Sequence, residues 1–192
     1  MSSRPSRSSG DRVAATLYAA TDRILDAALT SHAVVLIDGR SGAGKSTLTR
    51  LLAARWQGPL QIVALDALYP GWDGLDAGTE IVLSQILAPR ARGEHGVWRR
   101  WDWEADRPAE QHRVDPAQAL IVEGSGILTA ETAALADVTV WLESPEDVRR
   151  ERALERDGDA YRPYWSRWAM QEERHIARHE PRTIAQIVVD VP

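Results

Sequence analysis

The stretch Gly39-Arg40-Ser41-Gly42-Ala43-Gly44-Lys45-Ser46 constrains this chain more than any other. It fits the phosphate-cradling pattern G-x-x-x-x-G-K-[ST] without a mismatch, and Thr47 follows it. The pattern carries meaning only between a strand and a helix, and both neighbours are present. Ala33-Val34-Val35-Leu36-Ile37-Asp38 before it is a short, continuous, β-branched run of the kind that forms a strand buried on both faces. Lys45 to Trp56 after it reads as a helix. Glycines let such a loop turn its N–H groups toward anionic oxygens, and the helix N-terminus adds about half a positive charge there. Gly39, Ser41, Gly42, Ala43, Gly44, Lys45, Ser46 and Thr47 are therefore expected to hold the phosphates of a nucleotide. Lys45 would reach the β- and γ-phosphates, and the Ser46 hydroxyl would hold Mg2+.

Charge makes that anion site local. The chain has 23 Lys plus Arg against 28 Asp plus Glu, a net charge of −5, which argues against nucleic acid as a partner. Its single lysine is Lys45. A chain-wide preference for arginine explains the scarcity, but not why the exception stands where a compact ammonium fits and a planar guanidinium does not. With no cysteine, disulfides, thiol catalysis and cysteine-ligated zinc are excluded. No apolar run approaches the roughly 20 residues of a membrane span and no signal-peptide pattern is seen, so a cytoplasmic location without a membrane partner is expected. The 192 residues suffice for one well-buried domain, expected over 11–192 behind a disordered tail at 1–10 that is rich in Ser, Arg and Pro.

Helical spacing predicts a scaffold helix from Asp11 to Thr30. After the break at Gly58-Pro59, Gln61 to Leu65 reads as a second buried strand ending at Asp66. Ligands collect at the carboxyl ends of such strands, so Asp66 is placed for chemistry or, equally simply, caps the next turn. Tyr69 to Gly74 is a rigid turn, and a helix is expected from Thr79 to about Ala91. Val97-Trp98-Arg99-Arg100-Trp101-Asp102-Trp103 then holds three of the eight tryptophans of a chain without phenylalanine. Strict alternation would put Arg99, Trp101 and Trp103 on one face; these rings either stack a planar ligand or close a small core. A third strand, Ala119 to Val122, ends in Glu123, where an enzyme of this kind would position a Mg2+-bound water and a capping glutamate is the plainer reading. Thr129 to Ala136 is expected to be a short helix, Val138 to Leu142 a fourth strand and Ile187 to Val189 a fifth.

Ser144 as N-cap with Pro145 at N1 predicts a helix start, and Asp157-Gly158-Asp159 its end. On that helix Arg149, Arg152 and Arg156 share a face; they are either salt-bridged surface or a lid neutralising a transferring phosphoryl group. The next helix carries Tyr161, Tyr164, Trp165, Trp168, Glu172, His175, Ile176 and His179 at helical spacing, a stripe that reads as core. His175 and His179 lack a third ligand, so metal chelation is not expected there.

Assembled, these pieces resemble the uridine kinase family of P-loop small-molecule kinases. Asp66-Ala67-Leu68-Tyr69 resembles the family's Asp-Ser-Phe-Tyr, whose Asp is the catalytic base and touches the sugar hydroxyl. Trp101-Asp102-Trp103 resembles its pocket-forming Tyr-Asp-Phe, and Glu123-Gly124 with Ile127-Leu128 resembles Glu-Gly-Ile-Leu with two residues inserted. Arg149 to Asp157 resembles its Arg-rich lid, here approximately 145–162. The family's Asp-His-Pro-Asp element is missing, with Trp72-Asp73 as a shorter substitute, and its pocket histidine has no counterpart.

The resemblance implies a three-layer α/β P-loop NTPase fold, adenylate-kinase-like, with a five-stranded parallel sheet. It implies transfer of the γ-phosphoryl of ATP to a hydroxyl of a small acceptor, a nucleoside first. Asp66, Lys45, Arg152 and Arg156 would be catalytic; Asp66, Tyr69, Trp72, Asp73, Trp101, Trp103 and Glu123 would bind the acceptor; Ser46 and Glu123 would hold Mg2+. Rival readings are a nucleoside monophosphate or sugar-acid kinase and a nucleotide-gated binding module with slow ATPase activity. A GTPase is disfavoured because its Asn-Lys-x-Asp element needs a second lysine, and an ABC-type ATPase because no LSGGQ-like signature occurs.

Overall fold

The computed structural model describes residues 9–192, the side chains of residues 157, 159 and 160 excepted. Residues 1–8 of the expected tail lie outside the described residues, and Ser9 and Gly10 belong to the first helix. In chain order the strands are β1 (Val34–Gly39), β2 (Leu60–Ala64), β3 (Gly96–Asp102), β4 (Arg107–Val114), β5 (Ala119–Glu123), β6 (Val138–Glu143) and β7 (Ile187–Asp190). The helices are α1 (Ser9–Ala27), α2 (Lys45–Arg55), α3 (Leu75–Val82), α4 (Ala88–Ala91), α5 (Ala130–Ala133), α6 (Glu146–Tyr161), α7 (Trp165–His179) and α8 (Pro181–Ile184).

The five expected parallel strands form one sheet in the order β2-β5-β1-β6-β7. Its central strands are buried along their length, as a sheet covered on both faces requires. Alternation along β1 sends Val34 and Leu36 to one core and Val35 and Ile37 to the other. The first core holds Leu75, Val82, Trp165 and Trp168 from α3 and α7; the second holds Leu17 and Ile24 from α1 with Leu48 and Leu52 from α2. Three layers result. Pairing aligns Ile37 of β1, Glu123 of β5 and Ala64 of β2 in one row, so the loops after these strands emerge together.

Several local expectations are corrected. The helix expected from Thr79 begins at Leu75 and widens into a π turn over Leu83–Leu87, just before Pro89, which has no N–H for the Gln85 carbonyl. Ser144 is not the N-cap of α6: Pro145 takes that position, and the Ser144 hydroxyl accepts from Arg152 Nη1 at 3.3 Å instead. Gly158, with φ 61° and ψ −143°, kinks α6 where its end was expected. Finally, β3 pairs antiparallel with β4 in a separate two-stranded ribbon, and a register shift between Arg99 and Trp101 breaks the strict alternation.

Candidate active site

The loop between β1 and α2 turns through two left-handed glycines, Gly42 (φ 81°) and Gly44 (φ 105°). A β-carbon on Gly42 would also overlap the Arg149 carbonyl, so only glycine fits between this loop and α6. Arg149 is 2% exposed and donates to Ser144 O at 3.0 Å and Ser41 O at 3.2 Å. It thus fastens α6 to the phosphate loop, with its donors spent on backbone carbonyls. Behind the loop, the buried Asp38 carboxylate accepts three backbone N–H groups: Gly39 at 2.6 Å and Gly126 at 2.8 Å on Oδ1, Leu128 at 2.8 Å on Oδ2. His175 Nε2 lies 3.4 Å from the same Oδ2, without a hydrogen bond.

In front of the loop is a polar cavity of about 440 Å3. Ser41, Gly42, Gly44, Lys45, Ser46 and Thr47 form its floor, while Gly39 and Ala43 are buried beneath it. Lys45 Nζ donates to Gly39 O at 2.7 Å, Arg40 O at 3.2 Å and Ser125 Oγ at 3.3 Å. Lys45, Arg50, Arg152 and Arg156 face Asp66, Glu123 and Glu155 across it, so cations outnumber acids locally in an acidic chain. Arg152 also donates to Pro192 O at 2.9 Å.

Glu123 is 8% exposed and accepts the Ser46 hydroxyl at 2.8 Å. Burial pushes its carboxyl above the ordinary glutamate value, with Lys45 and the Ser46 hydroxyl opposing that shift. A divalent cation beside Ser46 would offset the same burial cost. Among the described residues no three His, Cys, Asp or Glu side chains are grouped to cage a metal. One hydroxyl and one carboxylate fit Mg2+, which keeps waters and takes phosphate oxygens rather than a full protein cage.

A second cavity, of about 180 Å3, adjoins the first and is lined by aromatic rings. Trp72 is its centre, stacked on Tyr164 at 4.2 Å and on Tyr161 at 5.5 Å, and tilted against Trp103 at 4.8 Å. Of the expected acceptor residues, Asp66, Tyr69, Trp72 and Trp103 line this cavity. Trp103 is anchored by its indole N–H on Asp66 O at 2.8 Å. Tyr69 is mostly core: it is 1% exposed, donates its hydroxyl to Ser125 O at 2.7 Å, and burial raises its phenol above the ordinary tyrosine value. Asp73 and Trp101 are not on the wall. Asp73 is ion-paired with Arg167 at the surface, and Trp101 stays in the ribbon with a buried, unpartnered indole nitrogen. Glu123 lines the polar cavity only.

Tyr161 and Trp168, read from sequence as core, line the aromatic cavity as well. Asp38, Ser125 and Glu172 were not expected at the site. The available signal was Glu172 itself, a carboxylate at a core-facing position of a largely aromatic stripe, which must find partners.

Comparison with known proteins agrees with this fold. A cytidylate kinase from Pyrococcus abyssi is 25% identical over 148 residues, which is 76% of this chain and 73% of that protein. A solved structure of a possible uridine kinase from Bacillus stearothermophilus superposes with a TM-score of 0.67 at 20% identity, covering 93% of this chain and 99% of that one. No protein-family model matches. The fold and the phosphate loop are those of P-loop proteins, and the relatives they match are named as kinases acting on small molecules or nucleotides.

Proposed function

We propose that the protein transfers the γ-phosphoryl group of ATP to a hydroxyl of a small acceptor with a planar ring, a nucleoside first. The observation that carries this reading is the wall between the two cavities. Asp66, Arg156, Ser41 and Trp168 line both, so a carboxylate and a guanidinium stand where a phosphate tail and a ring-bound acceptor would meet. Lys45 and the loop amides bind the β- and γ-phosphates; Ser46 and Glu123 would hold Mg2+, which when bound neutralises phosphate charge. Trp72 and Trp103 stack the acceptor ring, at about 1 to 3 kcal/mol per base. Asp66 takes the acceptor hydroxyl's proton as that oxygen bonds to the γ-phosphorus and the bond to ADP breaks. Arg152 and Arg156 stabilise charge on the transferring group, and closure of α6 over it excludes water.

One observation bears on the nearest alternative, a nucleoside monophosphate such as the substrate named for the cytidylate kinase relative. Among the described residues, Arg156 is the one cation lining the aromatic cavity, and it also faces the phosphate cavity. An acceptor phosphate would have to share it. An ADP-release screen over nucleosides, nucleoside monophosphates, sugar acids and other hydroxyl metabolites, beside a Lys45→Ala control, tests the reading. Acceptor-stimulated ADP release with nucleosides is expected. Release that no acceptor stimulates would overturn it in favour of a nucleotide-gated module.

A further inference from the structure

Ser125 and Gly126 are the two residues inserted between Glu123-Gly124 and Ile127-Leu128, and both reach the back of the phosphate loop. Gly126 gives its N–H to Asp38. Ser125, 6% exposed, has a more pointed environment. Its oxygen accepts from Lys45 Nζ at 3.3 Å, and its one hydroxyl proton faces Glu172 Oε1 at 3.0 Å and Gly39 O at 3.1 Å. Glu172, on α7 and 3% exposed, also accepts the Ser41 N–H at 2.6 Å on Oε1 and lies 3.3 Å from Arg40 Nε through Oε2. Its partners are therefore the phosphate loop and Ser125.

We propose that Ser125 and Glu172 are positioning residues for Lys45, the carboxylate orienting the Ser125 hydroxyl and the hydroxyl oxygen fixing the ammonium at the cavity floor. The proposal rests on the kinase reading above. Lys45 carries its charge on a flexible four-carbon stem, and the two other oxygens it meets belong to its own loop. Ser125 supplies an anchor from a different element. The interposed hydroxyl matters chemically: a carboxylate in direct contact would form an ion pair and compete with the incoming phosphates, whereas a hydroxyl orients the ammonium and leaves its charge available. Ser125 also joins the two cavities, because its carbonyl accepts the hydroxyl of Tyr69, which lines the aromatic one.

The single lysine makes the test direct. Protein grown with 13C,15N-lysine gives one Cε–Hε cross-peak, that of Lys45, in the full chain. Ser125→Ala is expected to move this peak and to weaken Mg·ATP binding about tenfold, the usual size for a hydrogen bond to a charged group. Glu172→Gln, which does not touch Lys45, is expected to move the peak the same way and by less. In the Ser125→Ala background it should move it no further, since the relay is already cut. Mg·ATP should shift the peak in the unmodified protein. If it does so while Glu172→Gln leaves the peak in place, or moves it equally with Ser125 absent, the relay is wrong and the kinase reading stands. If Mg·ATP leaves the unmodified protein's peak unmoved, the kinase reading itself falls and takes the relay with it. Should Ser125→Ala fail to fold, Glu172→Gln alone decides by its peak and its Mg·ATP affinity.

Discussion

Asp38→Asn removes one charge and one acceptor from the point on which the back of the site is assembled. The carboxylate takes Gly39 and Gly126 on one oxygen and Leu128 on the other, all within 2.6 to 2.8 Å. An asparagine that keeps its oxygen toward Gly39 and Gly126 must aim its NH2 at the Leu128 N–H, donor against donor. The Leu128 N–H is left buried without a partner, at about 1 to 3 kcal/mol, and the two bonds that remain lose their charge assistance, so the net cost is about 3 kcal/mol. In a chain of this size each kcal/mol moves the midpoint by about 2 to 4 °C, which predicts a fall in Tm of about 6 to 12 °C. Thermal melts followed by tryptophan fluorescence measure it. A variant melting within about 2 °C of the parent would show that these three N–H groups find other partners, and the hub described for Asp38 would be wrong.

Other substitutions separate the roles of the front of the site. Asp66→Asn keeps shape and loses the proton acceptor, so kcat should fall about 100- to 10,000-fold with Mg·ATP affinity nearly unchanged; acceptor-dependent turnover within tenfold of the parent would remove Asp66 as base. Glu123 has its carboxyl raised by burial, which means the neutral form is favoured in the fold. Its stability contribution is fully present below the ordinary value of 4.5 and lost as pH rises through the raised one. Glu123→Gln is therefore expected to melt no lower than the parent at pH 7, with the comparison turning toward the parent below about pH 4.5, while transfer is lost. A lower melt at pH 7 contradicts the burial argument. Trp72→Leu gives up close ring contacts with Tyr164 and Trp103, at about 0.5 to 1.5 kcal/mol each, and should raise the acceptor KM while leaving the KM for ATP alone. Equal changes in both KM values would place Trp72 in the scaffold rather than the acceptor pocket.

The parts legible in the sequence are those whose signal is local. The central strands announce themselves as apolar runs because a sheet covered on both faces needs them, whereas β2, expected as a buried strand, lies at the edge with Ile62 exposed. Asp66 and Glu123 could be placed because each directly follows such a run or closes it. What escaped is held together across long separations or at the surface. Glu172 meets Ser41 from 131 residues away and Ser125 from 47, and no window of the sequence contains either pair. The strand β4, Arg-Pro-Ala-Glu-Gln-His-Arg-Val, is mostly exposed and buries only Val114 in the core, so neither periodicity nor composition marks it. Trp103 lies just past the end of β3, in the turn before β4, so strand alternation does not set its direction, and it reaches the pocket wall while Trp101 stays in the ribbon. Arg149 shared a predicted face with Arg152 and Arg156, yet its position in the first turns of α6 puts it against the loop backbone, where its charge is used on carbonyls.

The ring cluster around Trp72 also equips the molecule with an optical reporter. Three of its eight indoles border the small cavity and Trp168 touches both chambers, while phenylalanine is absent altogether. Any occupant that slides between those faces alters their emission at once, so candidate acceptors can be ranked by quenching titration on unlabelled protein, before a single turnover has been observed.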